Sequence, residues 1–550
     1  MHLLKFLRLL MGLLALVLFA ACAAGTAWAI VPRPKLLVFL VVDGLPQRQV
    51  LDYRDQLGAD GLARFLDRGA WFANASYSHA YVVTAAGHAA MLTGAYPNRT
   101  GIIANEWLDP LTLANTYCTG DTAQSYIGSS TRPLDGTSPK NLKVETVGDV
   151  LKRADPRSRV IAISGKDRGA ILLAGKTGSA YMFMDDTGEF ASSTYYMAQH
   201  PAWVDAFNAA KPADRYFKTA WTALLPEAAY ARSLPDEQKW FDRSGAVGKL
   251  PRMMGAPADQ KPGPAYYTGL RTSPFIDALS LDFARAAMQG ESLGRGAAPD
   301  ILAISLSGHD WVNHAFSAES RISHDHLLQL DRLLQDFFKD LDATVGKDNY
   351  IAMLTSDHGF MPAPEYSQSL GREAGRINTN QLTGRINAGL QKRFGSGKWV
   401  LAFYSANMLF DRKLLATVNA DAVLEEARRL LLAEPGIAAA YTRQEIISSS
   451  RAGEPFFEAT QKSFHPDASG EMAVVFKPYW MRTSARATLH ESPYPYNTQV
   501  PILMYGPQWI KPGRIDAPVD VVDIAPTLSR ILGIAKPASS QGNLLPLAAP

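Results

Sequence analysis

The sequence predicts an α/β protein built on a mostly parallel central sheet with helices on both faces. Three observations predict this fold: short continuous apolar runs, segments of helical periodicity between them, and polar residues directly after several runs. Buried strands that alternate with helices are typical of a sheet covered on both faces. Because two long stretches interrupt the alternation, we also expect inserted cap or α+β segments.

The apolar runs are aliphatic or β-branched at consecutive positions, as expected for strands that are buried on both faces. The five clearest are Leu36–Val42, Val160–Ser164, Ile301–Ser305, Tyr350–Thr355 and Val500–Tyr505. Between the runs, Ile322–Leu341 and Ala420–Leu432 have the periodicity of amphipathic helices.

Two stretches depart from this alternation. Residues 169–299 are rich in Tyr, Trp, Pro and Gly, and residues 361–489 carry a helix followed by Ile437–Ile446. We predict one large domain over residues 30–550, with insertions at about 169–299 and 361–489. Its composition, 47% hydrophobic and 19% charged, excludes long disorder, and a net charge of +3 without a basic block excludes a nucleic-acid footprint.

Residues 1–29 have the pattern of a secretory signal peptide. Lys5 and Arg8 precede the apolar run Leu9–Ala21, and Ala27-Trp28-Ala29 offers a small-residue cleavage site. The run is shorter than the about 20 residues that a membrane span needs. We therefore expect a periplasmic or secreted protein without a membrane span in the mature chain.

The chain has two cysteines, Cys22 and Cys118. Lipidation at Cys22 is a less favoured alternative to cleavage, because Phe19 stands where lipoproteins usually carry leucine. Cleavage would leave Cys118 alone, which excludes an intramolecular disulfide in the mature chain. We interpret Cys118 as a structural free thiol.

Polar side chains follow four of the predicted strands at their carboxyl ends. Ligands of open α/β sheets bind outside these ends, so we expect the side chains to converge at one edge. In chain order they are Asp43, Lys166, Arg168, Asp310, His314, Asp357 and His358.

Several of these residues have the spacing of metal ligands. Asp310 and His314 are at positions i and i+4, which places both on one face of a helix. Asp357 and His358 are adjacent on a predicted tight turn, and His490 is a candidate to complete the first pair. Mixed Asp and His ligands suit zinc. Each motif alone is common by chance, and it is the combination that predicts a metal site.

Thr84 begins a segment of small residues that we predict to start a helix, whose N-terminus would favour a negatively charged group. Each of these polar residues has an ordinary alternative. Thr84 is also a suitable N-cap, and Lys166 and Arg168 are a suitable solvated pair.

The segments VVDG, VTAAGHAAMLTGAYPNRTGI, DWVNH, TSDHG and HESPYPYNTQVPILMYGP resemble the alkaline phosphatase superfamily. Within it they are similar to the type I phosphodiesterase/nucleotide pyrophosphatase branch. The greatest similarity is to PafA-like bacterial alkaline phosphatases with a threonine nucleophile, which include a broad-specificity sphingomonad enzyme. The resemblance extends from Asp43 to Val521–Leu528, with the motifs in the same order and at matching separations.

The resemblance implies two zinc ions per chain. One would be held by Asp310, His314 and His490, and the other by Asp43, Asp357, His358 and the Thr84 oxygen. It also implies that Thr84 is the nucleophile and that Asn105 contacts a phosphoryl oxygen, whereas the ordinary alternative for Asn105 is a turn residue. Lys166 and Arg168 match the pair that distinguishes monoesterases from their diesterase relatives. Asn313 departs from the family, which often has glycine before the ligand histidine.

The function implied is that of an exported zinc-dependent alkaline phosphatase. It would hydrolyse small-molecule phosphate monoesters through a phosphothreonine intermediate, with lower phosphodiesterase activity and no obligate nucleic-acid partner. A nucleotide pyrophosphatase/phosphodiesterase is the first alternative. An inactive phosphate- or metal-binding protein is a remote one, and the sequence leaves the oligomeric state open.

Overall fold

The computed structural model describes residues 32–241 and 248–548. The predicted signal peptide, residues 1–29, and Cys22 lie outside the described residues. From Pro34 onward, the described part of the chain forms one compact unit. Within it, no helix combines the length and the apolar character that crossing a membrane requires.

The strands of the described residues, in chain order, are β1 (Leu36–Val42), β2 (Ala70–Ser76), β3 (Glu106–Leu108), β4 (Asn115–Tyr117), β5 (Val160–Ser164), β6 (Ser179–Met184), β7 (Glu189–Ala191), β8 (Ala220–Trp221), β9 (Arg252–Met253), β10 (Asp300–Leu306), β11 (Tyr350–Thr355), β12 (Gly375–Ile377), β13 (Val400–Tyr404), β14 (Asn407–Phe410), β15 (Ile437–Thr442), β16 (Met472–Phe476), β17 (Trp480–Arg482), β18 (Ile502–Tyr505) and β19 (Gly513–Asp520).

The α-helices are α1 (Gln47–Asp52), α2 (Leu62–Arg68), α3 (Thr84–Thr93), α4 (Pro97–Thr100), α5 (Val147–Ala154), α6 (Asp167–Ala174), α7 (Ala202–Ala209), α8 (Pro264–Leu270), α9 (Pro274–Gly290), α10 (Gly308–Phe316), α11 (Arg321–Thr344), α12 (Pro364–Ser369), α13 (Thr379–Phe394), α14 (Arg412–Leu415), α15 (Ala420–Leu432), α16 (Arg443–Ser448), α17 (Phe457–Ser463), α18 (Pro495–Thr498) and α19 (Ile524–Leu532).

Nine strands form the central sheet in the order β19-β2-β18-β11-β1-β10-β5-β6-β7. The five strands from β11 to β6 run parallel to one another. β18 is antiparallel to β11 and to β2, and β7 is antiparallel to β6. The predicted mostly parallel sheet is therefore confirmed.

Both faces of the sheet are covered, because alternate residues of β1 enter two different hydrophobic cores. Leu36, Val38 and Leu40 belong to a core that includes α9 and α11 residues, whereas Leu37 and Phe39 face a core built with α3, α6 and α19. All seven residues of β1 are buried. This double burial explains why the strand has a continuous apolar sequence.

Smaller sheets are inserted into this framework. β13, β14, β16 and β15 form a four-stranded antiparallel sheet, and residues of α13 and α15 share its separate core. Within the stretch 169–299, β6 and β7 extend the central sheet, so the chain leaves that sheet only after Ala191. β8 and β9 then pair as a short antiparallel ribbon.

Cys118 is fully buried and unpaired. Burial raises the pKa of its thiol to about 12, so the thiol stays protonated at neutral pH.

Candidate active site

Polar residues follow four adjacent strands of the central sheet and lie at one edge of it. β11, β1, β10 and β5 are neighbours and run in the same direction, so their carboxyl ends meet. Asp357 and His358 follow β11, and Asp43 follows β1. Asp310 lies in the first turn of α10 after β10, and Lys166 follows β5. The structure thus brings together residues that are far apart in the sequence.

Two groups of carboxylates and imidazoles lie at this edge. In each group, one ligand atom per residue lies within 4.8 Å of the others. The groups are Asp310 with His314 and His490, and Asp43 with Asp357 and His358. Nε2 of His314 is 3.4 Å from Oδ1 of Asp310, and Nε2 of His358 is 3.5 Å from Oδ1 of Asp43.

Backbone carbonyls orient all three histidines. Nδ1 of His314 is 2.9 Å from the carbonyl oxygen of Thr488, and Nδ1 of His490 is 3.0 Å from that of Val82. Nδ1 of His358 is likewise 3.0 Å from the carbonyl oxygen of its neighbour in the chain. Because a carbonyl can only accept, each Nδ1 carries the hydrogen and each Nε2 keeps its lone pair. This arrangement is typical of metal-binding histidines.

Burial keeps these imidazoles neutral. It lowers the pKa of His314 to about 4 and that of His358 to about 3. Burial likewise lowers the pKa of His490. A neutral imidazole is the form that binds a metal ion, so the histidines need not lose a proton at neutral pH.

Lys166 connects the two groups. Its Nζ is 2.5 Å from Oδ2 of Asp310 and 2.8 Å from Oδ2 of Asp43. Burial raises the pKa of Asp43, and the nearby Asp357 carboxylate raises it further. Burial alone would also raise the pKa of Asp310, but the Lys166 ammonium and the three histidines of the cluster together outweigh burial and hold that pKa well below its usual range.

The donor set fits divalent metal ions. Several buried atoms that point into the cluster have no hydrogen-bond partner among the described residues, which is costly unless an ion satisfies them. These atoms are Oδ1 of Asp43, Oδ1 of Asp310, Oδ2 of Asp357 and Nε2 of His358. Asp and His side chains in groups of three suit zinc sites that keep an open position.

Two glycines allow the segments of the site to approach closely. Gly44 has a φ of +73°, and a Cβ there would lie 2.6 Å from the ring of Phe360. A Cβ on Gly87 would lie 2.3 Å from the carbonyl oxygen of Asp357. Gly87 therefore lets α3 pack directly against the turn that carries Asp357.

Thr84 is the first residue of α3, and it is buried. The N-cap position is Val83, without a side-chain capping bond, so Thr84 does not serve as the N-cap. Asn105 accepts a hydrogen bond at Oδ1 from the backbone N–H of Ala85, 2.9 Å away. This bond fixes the amide beside the helix N-terminus and leaves its NH2 group available as a donor.

Arg168 lies in the first turn of α6, two residues after Lys166. Its Nη1 donates to the hydroxyl of Tyr117 at 3.2 Å, and that hydroxyl donates to Oδ1 of Asp167 at 2.5 Å. The Arg168 side chain is 19% exposed, and its Nε has no partner among the described residues. The guanidinium is therefore positioned by a tyrosine that the sequence did not single out.

His88 was also missed by the sequence analysis. It lies one turn after Thr84, and its Nδ1 is 2.9 Å from the Thr84 carbonyl oxygen and 3.2 Å from Oδ2 of Asp357. Its Nε2 is 2.8 Å from Oγ of Ser305 on β10. His88 thus ties the helix of Thr84 to a candidate metal ligand, a role that depends on tertiary contacts and leaves no local sequence signal.

Asn313 anchors α10 through its side chain. Its Nδ2 donates to the carbonyl oxygen of Gly44 at 3.0 Å, and its Oδ1 accepts from the hydroxyl of Ser323 at 2.5 Å. The residue lies inside a helix, so it needs no unusual backbone angle. This departure from the family leaves His314 in place.

Comparisons with known proteins show the family to which the chain belongs. The sequence profile of type I phosphodiesterases/nucleotide pyrophosphatases matches residues 37–485. The chain belongs to the type I phosphodiesterase/nucleotide pyrophosphatase family. The family and its relatives among alkaline phosphatases support a hydrolase that acts on phosphate esters.

Three relatives in this family are named alkaline phosphatases. PafA of Elizabethkingia meningoseptica is 33% identical over 519 residues, which cover 93% of this chain and 94% of that protein. PhoV of Synechococcus elongatus is 33% identical over 527 residues, covering 94% and 93%. PhoK of a Sphingomonas species is 32% identical over 526 residues, covering 92% and 89%.

The crystal structure of wild-type PafA superposes on this chain with a TM-score of 0.85 at 31% identity. The match covers 94% of this chain and 98% of that one. The resemblance to PafA-like members of the family, and the fold that it implied, are confirmed.

Proposed function

We propose that this chain is an exported zinc-dependent alkaline phosphatase that hydrolyses phosphate monoesters through a phosphothreonine intermediate on Thr84. The observation that carries the proposal is the placement of two Asp/His groups beside the N-terminus of α3, with Lys166 and Arg168 at the same edge. His490 contacts the Val82 carbonyl oxygen just before α3, and Gly87 of α3 packs against Asp357. The named relatives, all alkaline phosphatases, support it.

In this proposal the two groups hold one zinc ion each, and Thr84 adds its oxygen to the group of Asp43, Asp357 and His358. When bound, the two ions would lower the pKa of the Thr84 hydroxyl and stabilise charge on the leaving oxygen. The second group is Asp310, His314 and His490. The fixed Nδ1 hydrogen bonds keep all three histidines turned toward the ions.

The chain's own residues carry the phosphoryl group. The Thr84 oxygen loses its proton and attacks phosphorus, a bond from Thr84 Oγ1 to phosphorus forms, and the bond to the leaving oxygen breaks. The leaving oxygen takes up a proton from water and departs as the alcohol. Water then attacks the phosphothreonine, which releases inorganic phosphate and restores the hydroxyl. Asn105 donates from its NH2 group to a phosphoryl oxygen, and the N-terminus of α3 favours the negative charge.

Lys166 and Arg168 favour monoesters over diesters. A monoester has one more non-bridging oxygen and one more negative charge than a diester, and the two cations supply donors for both. Arg168 offers a planar guanidinium that can hold oxygens bidentately, and Lys166 offers a point charge. We therefore place phosphodiesterase activity second, and the nucleotide pyrophosphatase alternative rests on the family name alone.

The nucleophile is tested by trapping. Enzyme quenched in acid during turnover of a phosphorus-labelled monoester should carry the label on the peptide that contains Thr84. Thr84→Ala should lose the label and nearly all turnover, whereas Thr84→Ser, which keeps a hydroxyl, should retain both in part. A label on another peptide would contradict the mechanism. Elemental analysis that finds no transition metal in fully active enzyme would contradict the zinc assignment.

Export is tested on the mature protein. Lys5, Arg8 and the Ala27-Trp28-Ala29 site motivate the proposal, together with one catalytic domain over residues 30–550. The mass of the protein recovered from outside the cytoplasm should correspond to a chain that begins at Ile30. A chain that begins at a lipid-modified Cys22 would favour the lipoprotein alternative.

A further inference from the structure

A cleft of ≈ 260 Å³ opens beside Lys166 and Arg168. Since one water molecule occupies about 30 Å³ of liquid, the cleft has room for a polar group the size of a phosphate or a carboxylate. Its wall continues past these two cations to Arg132, Arg271 and Trp311. The proposed chemistry at Thr84 has no use for these additional cations.

Trp311 connects the cleft to the candidate metal ligands. Nζ of Lys166 lies 5.1 Å from the centre of the indole ring, and the guanidinium carbon of Arg271 also lies 5.1 Å from it. Trp311 directly follows Asp310 in α10. Arg271 is therefore placed next to the segment that carries a ligand, close enough for a substrate to reach both.

The arginines of the cleft lie close enough to repel one another, whereas the Lys166 ammonium beside them is already held by two carboxylates of the metal-ligand groups. The charged residues of its wall are Arg132, Lys166, Arg168, Arg271, Asp135, Asp167 and Asp185. Asp167 already accepts hydrogen bonds from the Tyr117 hydroxyl and from the backbone N–H of Gly136. Asp185 pairs with Arg271 at 2.9 Å and lies 3.6 Å from Arg132. Arg132 also has Asp135, 3.7 Å from its Nε, whereas Asp185 is the carboxylate that pairs with Arg271.

The arginines of the cleft have unused donor capacity. Nε of Arg168 and Nε of Arg271 are buried without a hydrogen-bond acceptor among the described residues. Burial lowers the pKa of Arg271, and repulsion from Arg486, Arg168 and Arg132 lowers it further, against the opposing effect of Asp185. An anion in the cleft would balance this charge.

We propose that the cleft binds a second anionic group of the substrate, a phosphate or a carboxylate joined to the phosphate ester by a short linker. The enzyme then prefers small bisphosphates and phosphorylated acids over monoesters with a neutral end. The proposal rests on the proposed function, because Lys166 and Arg168 border both the cleft and the phosphoryl site. Arg271 determines the preference through direct contact with the second anion.

The test compares two esters of one alcohol. Propanediol bisphosphate and propanediol monophosphate have the same linker and differ in whether the far end is anionic or neutral. The bisphosphate has two equivalent reactive ends, so its kcat/KM is halved before the comparison. The halved value for the zinc-loaded enzyme should be on the order of 10- to 100-fold higher than the value for the monophosphate, as expected for charge-assisted hydrogen bonds. Arg271→Gln should bring this ratio close to one.

Two further variants make the test specific. Asp185→Asn should raise the preference, because it releases Arg271 from its carboxylate partner. Arg285→Gln is the matched control and should keep the wild-type ratio. Arg285 resembles Arg271 in exposure, 29% against 32%, and it also pairs with an aspartate, Asp340, and lies over an aromatic ring, Phe337.

The outcomes separate the two proposals. If the enzyme hydrolyses propanediol monophosphate but shows no preference, or if Arg271→Gln leaves a preference unchanged, the anion subsite is overturned while the proposed function stands. If purified zinc-loaded enzyme hydrolyses neither ester, the proposed function itself is overturned, and the subsite with it. A preference that disappears in Arg271→Gln and survives in Arg285→Gln supports the subsite.

Discussion

Arg168→Ala is the sharpest test of the preference for monoesters. Arg168 contacts Tyr117 and Asp167 but no candidate metal ligand, so its removal leaves both ligand groups intact. Lys166 is less suitable, since its Nζ is 2.5 Å from Oδ2 of Asp310 and its loss would also change the metal site. Replacement of Arg168 alone therefore isolates the contact with the phosphoryl group.

The size of the effect follows from the surroundings of the guanidinium. The Arg168 side chain is 19% exposed, and its Nη1 donates to the Tyr117 hydroxyl, so a ligand would meet the guanidinium chiefly at Nη2. The guanidinium can donate two charge-assisted hydrogen bonds to a phosphoryl group, and each of them contributes about 1.5–3 kcal/mol. We expect a loss of about 3–4 kcal/mol, or roughly 10²–10³ in kcat/KM.

The assay measures kcat/KM for p-nitrophenyl phosphate and bis-p-nitrophenyl phosphate, which share a leaving group. Arg168→Ala should lose roughly 10²–10³ on the monoester and less than about tenfold on the diester. Tyr117→Phe removes one neutral contact to the guanidinium and should lose roughly fivefold on the monoester, about 1 kcal/mol. Added guanidinium should partly restore the monoesterase activity of Arg168→Ala. Equal losses on both esters, at unchanged metal content, would refute the reasoning.

Three further predictions concern residues around the fold. His88→Ala should weaken zinc binding about 10- to 100-fold in a chelator competition, because Asp357 loses the imidazole that lies 3.2 Å from its Oδ2, and wild-type affinity would contradict this role. His79 is buried with a pKa of about 3, so the free energy of unfolding should fall as the pH drops below about 6.5, where the unfolded histidine takes up a proton. Urea unfolding measures this loss between pH 7 and 4.5, and the loss should be about 2–3 kcal/mol smaller in His79→Phe than in the wild type. The peptide containing Cys118 should react with a thiol reagent only after unfolding.

The central strands could be predicted because each carries its own signal. β1, β5 and β11 have the predicted bounds, and α15 matches Ala420–Leu432. β18 begins at Ile502 rather than at Val500. By contrast, the sequence did not predict β2 and β19, since most of β19 is exposed and β2 finds its partners far along the chain. Pairing between distant segments leaves no local periodicity.

The same distinction applies to the site. Asp43, Asp310 and Asp357 stand at strand ends or in the helix that follows, where sheet topology predicts convergence. His88 and Arg271 act through contacts with residues that are distant in the sequence, Asp357 and Trp311. Nothing in their immediate surroundings distinguishes them from ordinary buried or paired residues. Their roles follow from tertiary structure alone.

The late position of His490 has a consequence for biosynthesis. β2 pairs with β18 and β19, so an early segment of the chain must wait for the last strands before the sheet is complete. His490 likewise meets Val82 and the other ligands only after most of the chain has been synthesised. Such long-range pairing slows folding. A chain that ends before His490 therefore has an incomplete candidate ligand group, and under the proposed function we expect this group to bind metal only after the C-terminal segment has arrived.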